Sequence, residues 1–243
     1  MDIGRSFRFV FDDPRWFTKL LIGGLLAVVP IVNFFGIFAV IGYALRLTRR
    51  VMDGYDTPLP EWDDLGGLAL LGLKWMVVQF IWFLPLMVVS IVLPVGGAMD
   101  DGGLVGLSIL AIVALTIGWV VVIPAVSAHF AATESIQSAL EWRTILSLVK
   151  VNVGDYLVLV PLGMVLALIG QAGWAVFGLG VLLTAPWSTL ALAHLWGQVY
   201  FRSRAVLAMM AQPAAPPATV PAVVPPTAPA APVRQEPLPP LEP

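Results

Sequence analysis

A chain of 243 residues that is 59% hydrophobic and only 12% charged lies far from the balance of a water-soluble domain, in which about one quarter of residues carry charge. Its formal net charge of −2 argues against nucleic acid as a partner, and the absence of cysteine removes disulfides, thiolate metal sites and cysteine nucleophiles. Uncharged apolar runs of about twenty residues recur along the chain, more than a soluble core hides, and they read as membrane spans.

Residues 2–11 place Ile3, Phe7, Val10 and Phe11 at helical spacing behind Asp2, a suitable N-cap. The pattern predicts a short helix lying on the membrane surface and ended by Pro14. Asp2, Asp12 and Asp13 do not suit a cleaved secretory leader, so the first hydrophobic segment is expected to be retained.

The first apolar run, Leu20–Leu47, follows Arg5, Arg8, Arg15 and Lys19 and precedes Arg46, Arg49 and Arg50. A single crossing would place one of these basic flanks outside, against the preference of cations for the cytoplasmic face. Two readings follow. In one, the run is a re-entrant hairpin broken at Pro30-Ile-Val-Asn33, with arms of about ten and fourteen residues that are too short to cross comfortably. In the other, it is one kinked span with the N-terminus outside.

Next comes Pro58-Leu-Pro-Glu-Trp-Asp-Asp64. Pro60 suits the first position of a helix, and Glu61, Asp63 and Asp64 would then occupy a first turn whose dipole favours negative charge. Trp62 suits the headgroup level. The expectation is a capped surface helix leading into the following span, and the sharper alternative is that the three acids bind a divalent ion or a basic partner.

Four further runs have spanning length: Lys74–Leu93, Leu104–Ser127, Tyr156–Gly170 and Trp174–Phe201. From Tyr156 to Phe201 there is no Asp, Glu, Lys or Arg. One helix of that length would extend about 69 Å, more than twice the hydrocarbon core, so Gly170-Gln-Ala-Gly173 is the expected turn. Arg46, Arg49 and Arg50, then Arg143 and Lys150, then Arg202 and Arg204 mark loops expected in the cytoplasm; Asp100 and Asp101 mark one expected outside. Between Thr133 and Lys150, the residues Ala139, Trp142, Ile145, Leu146 and Val149 share a helical face suited to the interface.

The resulting reading is an all-α, polytopic integral membrane protein. It has four spans plus an N-terminal re-entrant hairpin or fifth span, with short interfacial helices. A helical transmembrane domain covers 1–210, and a Pro/Ala-rich disordered tail, cytoplasmic by the charge rule, covers 211–243. Within that tail, Arg234 to Pro240 fits an RxxPxxP pattern that its proline content readily produces.

The candidate binding or interaction residues are Asn33, Glu61, Trp62, Asp63 and Asp64. Asn33, beside Pro30, suits either the satisfaction of backbone groups freed at the break or contact with a solute. His194 reads as a hydrogen-bonding structural residue. Small residues four apart, among them Ala114 with Gly118 and Ala193 with Gly197, suit close helix packing within the chain. HExxH, GxSxG and P-loop patterns are absent, and no nucleophile, base and orienting group can be nominated, so neither an enzyme nor a cofactor is expected. The expected partners are the lipid bilayer and other membrane proteins or a second copy, in the cell membrane. A small-solute or lipid carrier is the alternative.

Gly23-Gly24, Pro30, Gly42-Tyr43, Arg46, Arg49, Gly54, the Pro58–Asp64 motif, Gly72 and Gly197-Gln198 together resemble the prokaryotic membrane family catalogued as domain of unknown function 4013 (DUF4013). The resemblance covers about residues 5–205. It implies a multi-span membrane protein and brings no catalytic residues with it.

Overall fold

The computed structural model describes residues 1–95, 102–175 and 178–211. Among them there is no strand, and the chain runs through nine α-helices. These are α1 (Ile3–Arg8), α2 (Trp16–Val28), α3 (Pro30–Met52), α4 (Leu65–Val95), α5 (Gly102–Thr133), α6 (Ile136–Ala139), α7 (Trp142–Val151), α8 (Val153–Ala172) and α9 (Val181–Ala211). Asp100, Asp101 and the proline-rich tail with its Arg234–Pro240 pattern lie outside the described residues.

The break in the first apolar run falls where Pro30 removes a backbone donor. Without that amide, the Leu26 carbonyl has no helical partner, and Val29 turns to φ −70°, ψ 116°. The Asn33 side chain donates to the carbonyl of Ala27 and so satisfies a second group freed at the end of α2. The chain then doubles back. Gly36 lies so close to the Leu26 carbonyl that a Cβ there would overlap it. Both flanks of the run consequently meet: Arg5 Nη2 is 3.9 Å from Asp56 Oδ1. The run therefore doubles back instead of continuing as one kinked helix. Its second arm is longer than expected, because α3 continues through the arginines to Met52 and spans 23 residues. At the bend, Ile31, Phe34 and Phe35 are 89%, 71% and 72% exposed, a surface that hydrocarbon suits and water does not.

Backbone contact fixes α3 against α4. Gly42 faces the carbonyl of Leu68 and Gly72 faces the carbonyl of Phe38, each too near for a side-chain carbon. Gly24 of α2 meets the Leu182 carbonyl in the same way, and Gly197 brings α9 against Thr48. Around these approaches one hydrophobic core gathers Val10, Leu20, Tyr43, Leu47, Leu59, Leu68 and Leu190. A second gathers Val78, Val126, Phe130, Ile145, Leu148, Tyr156 and Leu195.

Among the described residues, four helices are long and apolar enough to cross a membrane: α3, α4, α5 and α8. The set differs from the one expected at its two ends. α3 belongs to it, whereas the run expected as Trp174–Phe201 is interrupted by a short 3-10 turn at Gly173–Ala175 and resumes only at Val181. The expected turn at Gly170–Gly173 therefore lies later, because α8 stays helical to Ala172. α9 carries Ser188, His194, Gln198, Arg202 and Arg204, and it buries Ala191, Ala193, Leu195 and Val199 in the middle of the bundle.

The expected surface helices turn inward. α1 is capped by Asp2, whose carboxylate accepts from Arg5 N at 2.9 Å, but it ends at Arg8 and buries Ser6, followed by Phe9 and Val10; Ile3 and Phe11 point outward. The Thr133–Lys150 segment divides into α6 and α7, whose residues Ala139, Ile145, Leu148 and Val149 pack into the core. Trp142, assigned to that face by periodicity, is 57% exposed instead.

Beyond Trp82 on α4, and before Val121 on α5, no described side chain joins either core. This outer half of the α4–α5 pair presents Val88, Ile91, Leu107, Leu110 and Ile117 outward.

The glycine contacts make a direct prediction. Gly42→Ala should lower the unfolding midpoint in detergent, with overpacking costing about 1–3 kcal/mol. Gly118→Ala, on an open face of α5 with nothing within 4 Å, should leave it unchanged or slightly raised.

Candidate functional site

Polar side chains concentrate where the start of α2, the middle of α3 and the segment between α3 and α4 come together. Asp13 begins the cluster. Its Oδ1 accepts from the Arg15 amide at 2.7 Å, which sets the entry to α2, and its Oδ2 accepts from Lys19 Nζ at 2.6 Å. Lys19 is only 5% exposed, so its ammonium has left water and relies on protein partners. The second partner is Glu61, whose Oε1 lies 2.8 Å from Lys19 Nζ and 2.7 Å from Arg15 Nη2.

The segment bearing Glu61 is not the expected surface helix. Residues 58–64 are non-helical, and α4 starts at Leu65 with Asp64 as its cap, accepting from Gly67 N at 2.8 Å. Hydrogen bonds from distant parts of the chain hold the segment where it is. Tyr43 Oη donates to the Pro60 carbonyl at 2.8 Å, and Arg50 donates to the Leu59 carbonyl at 2.9 Å. Trp62 stacks on Tyr43 with ring centroids 4.1 Å apart and donates from Nε1 to the Lys19 carbonyl at 3.1 Å. The strap thereby ties both arms of the hairpin together.

The three acids of the motif therefore do not converge on one ion. Glu61 turns to Arg15 and Lys19, Asp64 turns to Gly67 N and to Arg46 Nη2 at 3.3 Å, and Asp63 is exposed. Trp62 packs on Tyr43 and borders the groove beside the strap. Asn33 lies at the far end of the hairpin and takes no part in the cluster. Beside the strap opens a groove of about 390 Å³, bordered by Arg15, Thr18, Lys19, Glu61, Trp62 and Asp63.

Charge shapes two of the carboxyl groups. Burial pushes Asp13 up, but the Lys19 hydrogen bond, the Arg15 amide and the charges of both cations outweigh it and hold the group below its ordinary 3.8. The Gly67 amide and the Arg46 guanidinium hold Asp64 below 3.8 as well.

A second polar cluster joins α1 to α9. Ser6 Oγ lies 2.8 Å from His194 Nδ1, and Gln198 Nε2 lies 3.0 Å from the same nitrogen. Gln198 also takes the Asp2 amide at 2.6 Å and donates to the Asp2 carbonyl at 3.1 Å. With Phe9 stacked on its ring, His194 serves as the hydrogen-bonding structural residue. Ion pairs Arg49–Glu134 and Arg202–Asp155 complete this end of the bundle. Sequence reasoning missed Lys19, Asp13 and Tyr43 as partners of the motif. The available signal was a lysine at the head of an apolar run with an aspartate six residues before it.

The chain belongs to the family described as protein of unknown function DUF4013, whose profile matches residues 25–183. No curated protein and no solved structure matches it.

Replacing Lys19 by Met should lower stability by about 3–5 kcal/mol, because it leaves the nearly buried Asp13 carboxylate without its cation. Asp13, depressed in the folded state, contributes stability that is present above 3.8 and lost as pH falls through its folded value. A pH series of unfolding midpoints should therefore decline on the acid side of 3.8, with a shallower slope in Asp13→Asn.

Proposed function

We propose that this member of the family is a non-enzymatic, membrane-embedded interaction or scaffold module of the cell membrane. The observation that carries the reading is the outer half of the α4–α5 pair, which contributes to neither core and displays Leu107, Leu110 and Ile117 to its surroundings. A surface of this kind needs lipid or another apolar helix against it.

The other end of the molecule supports the same reading. Arg5, Arg15, Lys19, Arg46, Arg49 and Arg202 form ion pairs there, and the residues that carry the family resemblance hold the bundle together. Gly42 and Gly72 seat α3 on α4, Gly24 and Gly197 seat α9, Tyr43 and Arg46 fasten the strap, and Gln198 holds α1. We infer that this end faces the cytoplasm, as the cations Arg46, Arg49, Arg50, Arg202 and Arg204 would prefer. The carrier alternative draws no support from Asn33, whose amide closes the break in the backbone.

A photo-crosslinking side chain at Leu110 or Ile117 in intact membranes should give adducts to lipid or to a membrane protein, while the same group at Leu148 should give only internal ones. Recovery of neither adduct from the outer positions would remove the reading. In the same vesicles, single cysteines replacing Arg5 and Tyr55 should react together from the cytoplasmic side with an impermeant thiol reagent.

A further inference from the structure

The groove beside the strap contains a place for an anion that the chain fills with its own carboxylate. Arg15 Nη2 and Lys19 Nζ point at a single atom, Glu61 Oε1, from 2.7 and 2.8 Å. Lys19 does not depend on Glu61 alone, since Asp13 holds it from the other side at 2.6 Å. Glu61 is also the more exposed acid of the pair, at 40% of its side chain against 10% for Asp13. The Tyr43 and Arg50 hydrogen bonds grip the backbone at Pro60 and Leu59, so the Glu61 side chain can rotate away while the strap stays in place.

A group taking over this position has to bring one negative charge and an oxygen acceptor, which keeps the charge balance that Lys19 requires. A phosphodiester does both. The surroundings indicate the rest of the molecule to which it belongs. Arg15, Thr18, Ile22 and Leu25 follow one another at spacings of three and four along a single face of α2, so the face passes from cationic through hydroxyl to apolar. The bend beyond α2 exposes Ile31, Phe34 and Phe35. That gradient matches a headgroup followed by acyl chain and not a free anion. Across the groove, exposed Asp63 opposes any second negative charge and offers a partner to an amine.

We propose that Arg15 and Lys19 form a seat for the phosphodiester of a membrane lipid, held closed by Glu61, and that Asp63 selects a headgroup ending in an amine. This goes beyond the interaction reading and does not depend on it.

The test uses the full chain in mild detergent, with lipid binding read by native mass spectrometry and folding by the unfolding midpoint. The probes are a phosphoethanolamine lipid, a phosphoglycerol lipid with the same acyl chains, and inorganic phosphate. Glu61→Gln should bind the phosphoethanolamine lipid about tenfold more tightly than the unmodified chain, and adding Arg15→Gln should cancel the gain. Asp63→Asn should remove the preference for the amine-bearing headgroup. Inorganic phosphate should not displace the lipid; displacement would overturn the lipid as the source of the phosphate. A folded Glu61→Gln variant with unchanged affinity would overturn the seat. If that variant does not fold, the exposed Arg15→Gln change alone decides, and undiminished lipid binding there overturns the proposal.

Discussion

Pro30 brings no amide hydrogen to the chain, and the architecture follows from where that missing donor falls. Had the helix beginning at Trp16 continued, its two basic flanks would lie at opposite ends of a rod more than thirty residues long. Instead the Leu26 carbonyl loses its partner, Val29 turns out of helical geometry, and Asn33 reaches back to the neighbouring carbonyl of Ala27. The reversal brings Asp13, Arg15 and Lys19 on one arm beside Tyr43, Arg46 and Arg50 on the other. Only then can a short non-helical strap bridge them with Glu61, Trp62 and two backbone carbonyls. Polar clustering at this end is thus a consequence of a backbone defect inside an apolar run.

The bundle then closes through contact between main chains. Leucine and valine cannot by themselves discriminate one apolar neighbour from another, whether lipid or helix. Positions where only a hydrogen atom fits can, and Gly42, Gly72 and Gly24 each face a carbonyl of a different helix or turn. These approaches set the registers of α3 with α4 and of α2 with α9.

Long-range composition made the all-helical class and the spanning lengths of α4, α5 and α8 legible. Runs of that length with so little charge have few alternatives. The break at Pro30 was legible too, since proline's missing donor is a local property. What periodicity could not supply was the identity of the neighbour on an amphipathic face. The opening segment through Val10 and the residues of α7 have the spacing of interfacial helices, yet Val10, Ile145 and Leu148 pack against other parts of the chain. The acidic motif misled for a related reason. Pro60 suits a helix start, but the Leu59 and Pro60 carbonyls find better donors in Arg50 and Tyr43, so helix formation is postponed until Asp64 can cap it. Lys19 and Glu61 stand far apart in the sequence, and no local rule pairs them.

The two counter-ions of Lys19 differ in when a growing polypeptide can supply them. Asp13 is only six residues away and is made first, so the ammonium has an acid at hand as soon as the opening turn of α2 forms. Glu61 emerges from the ribosome forty-two residues after Lys19, when the second arm of the hairpin has already been translated. Until then the nearer carboxylate is the one of the two that the lysine can reach. The later one then locks an arrangement that has already formed.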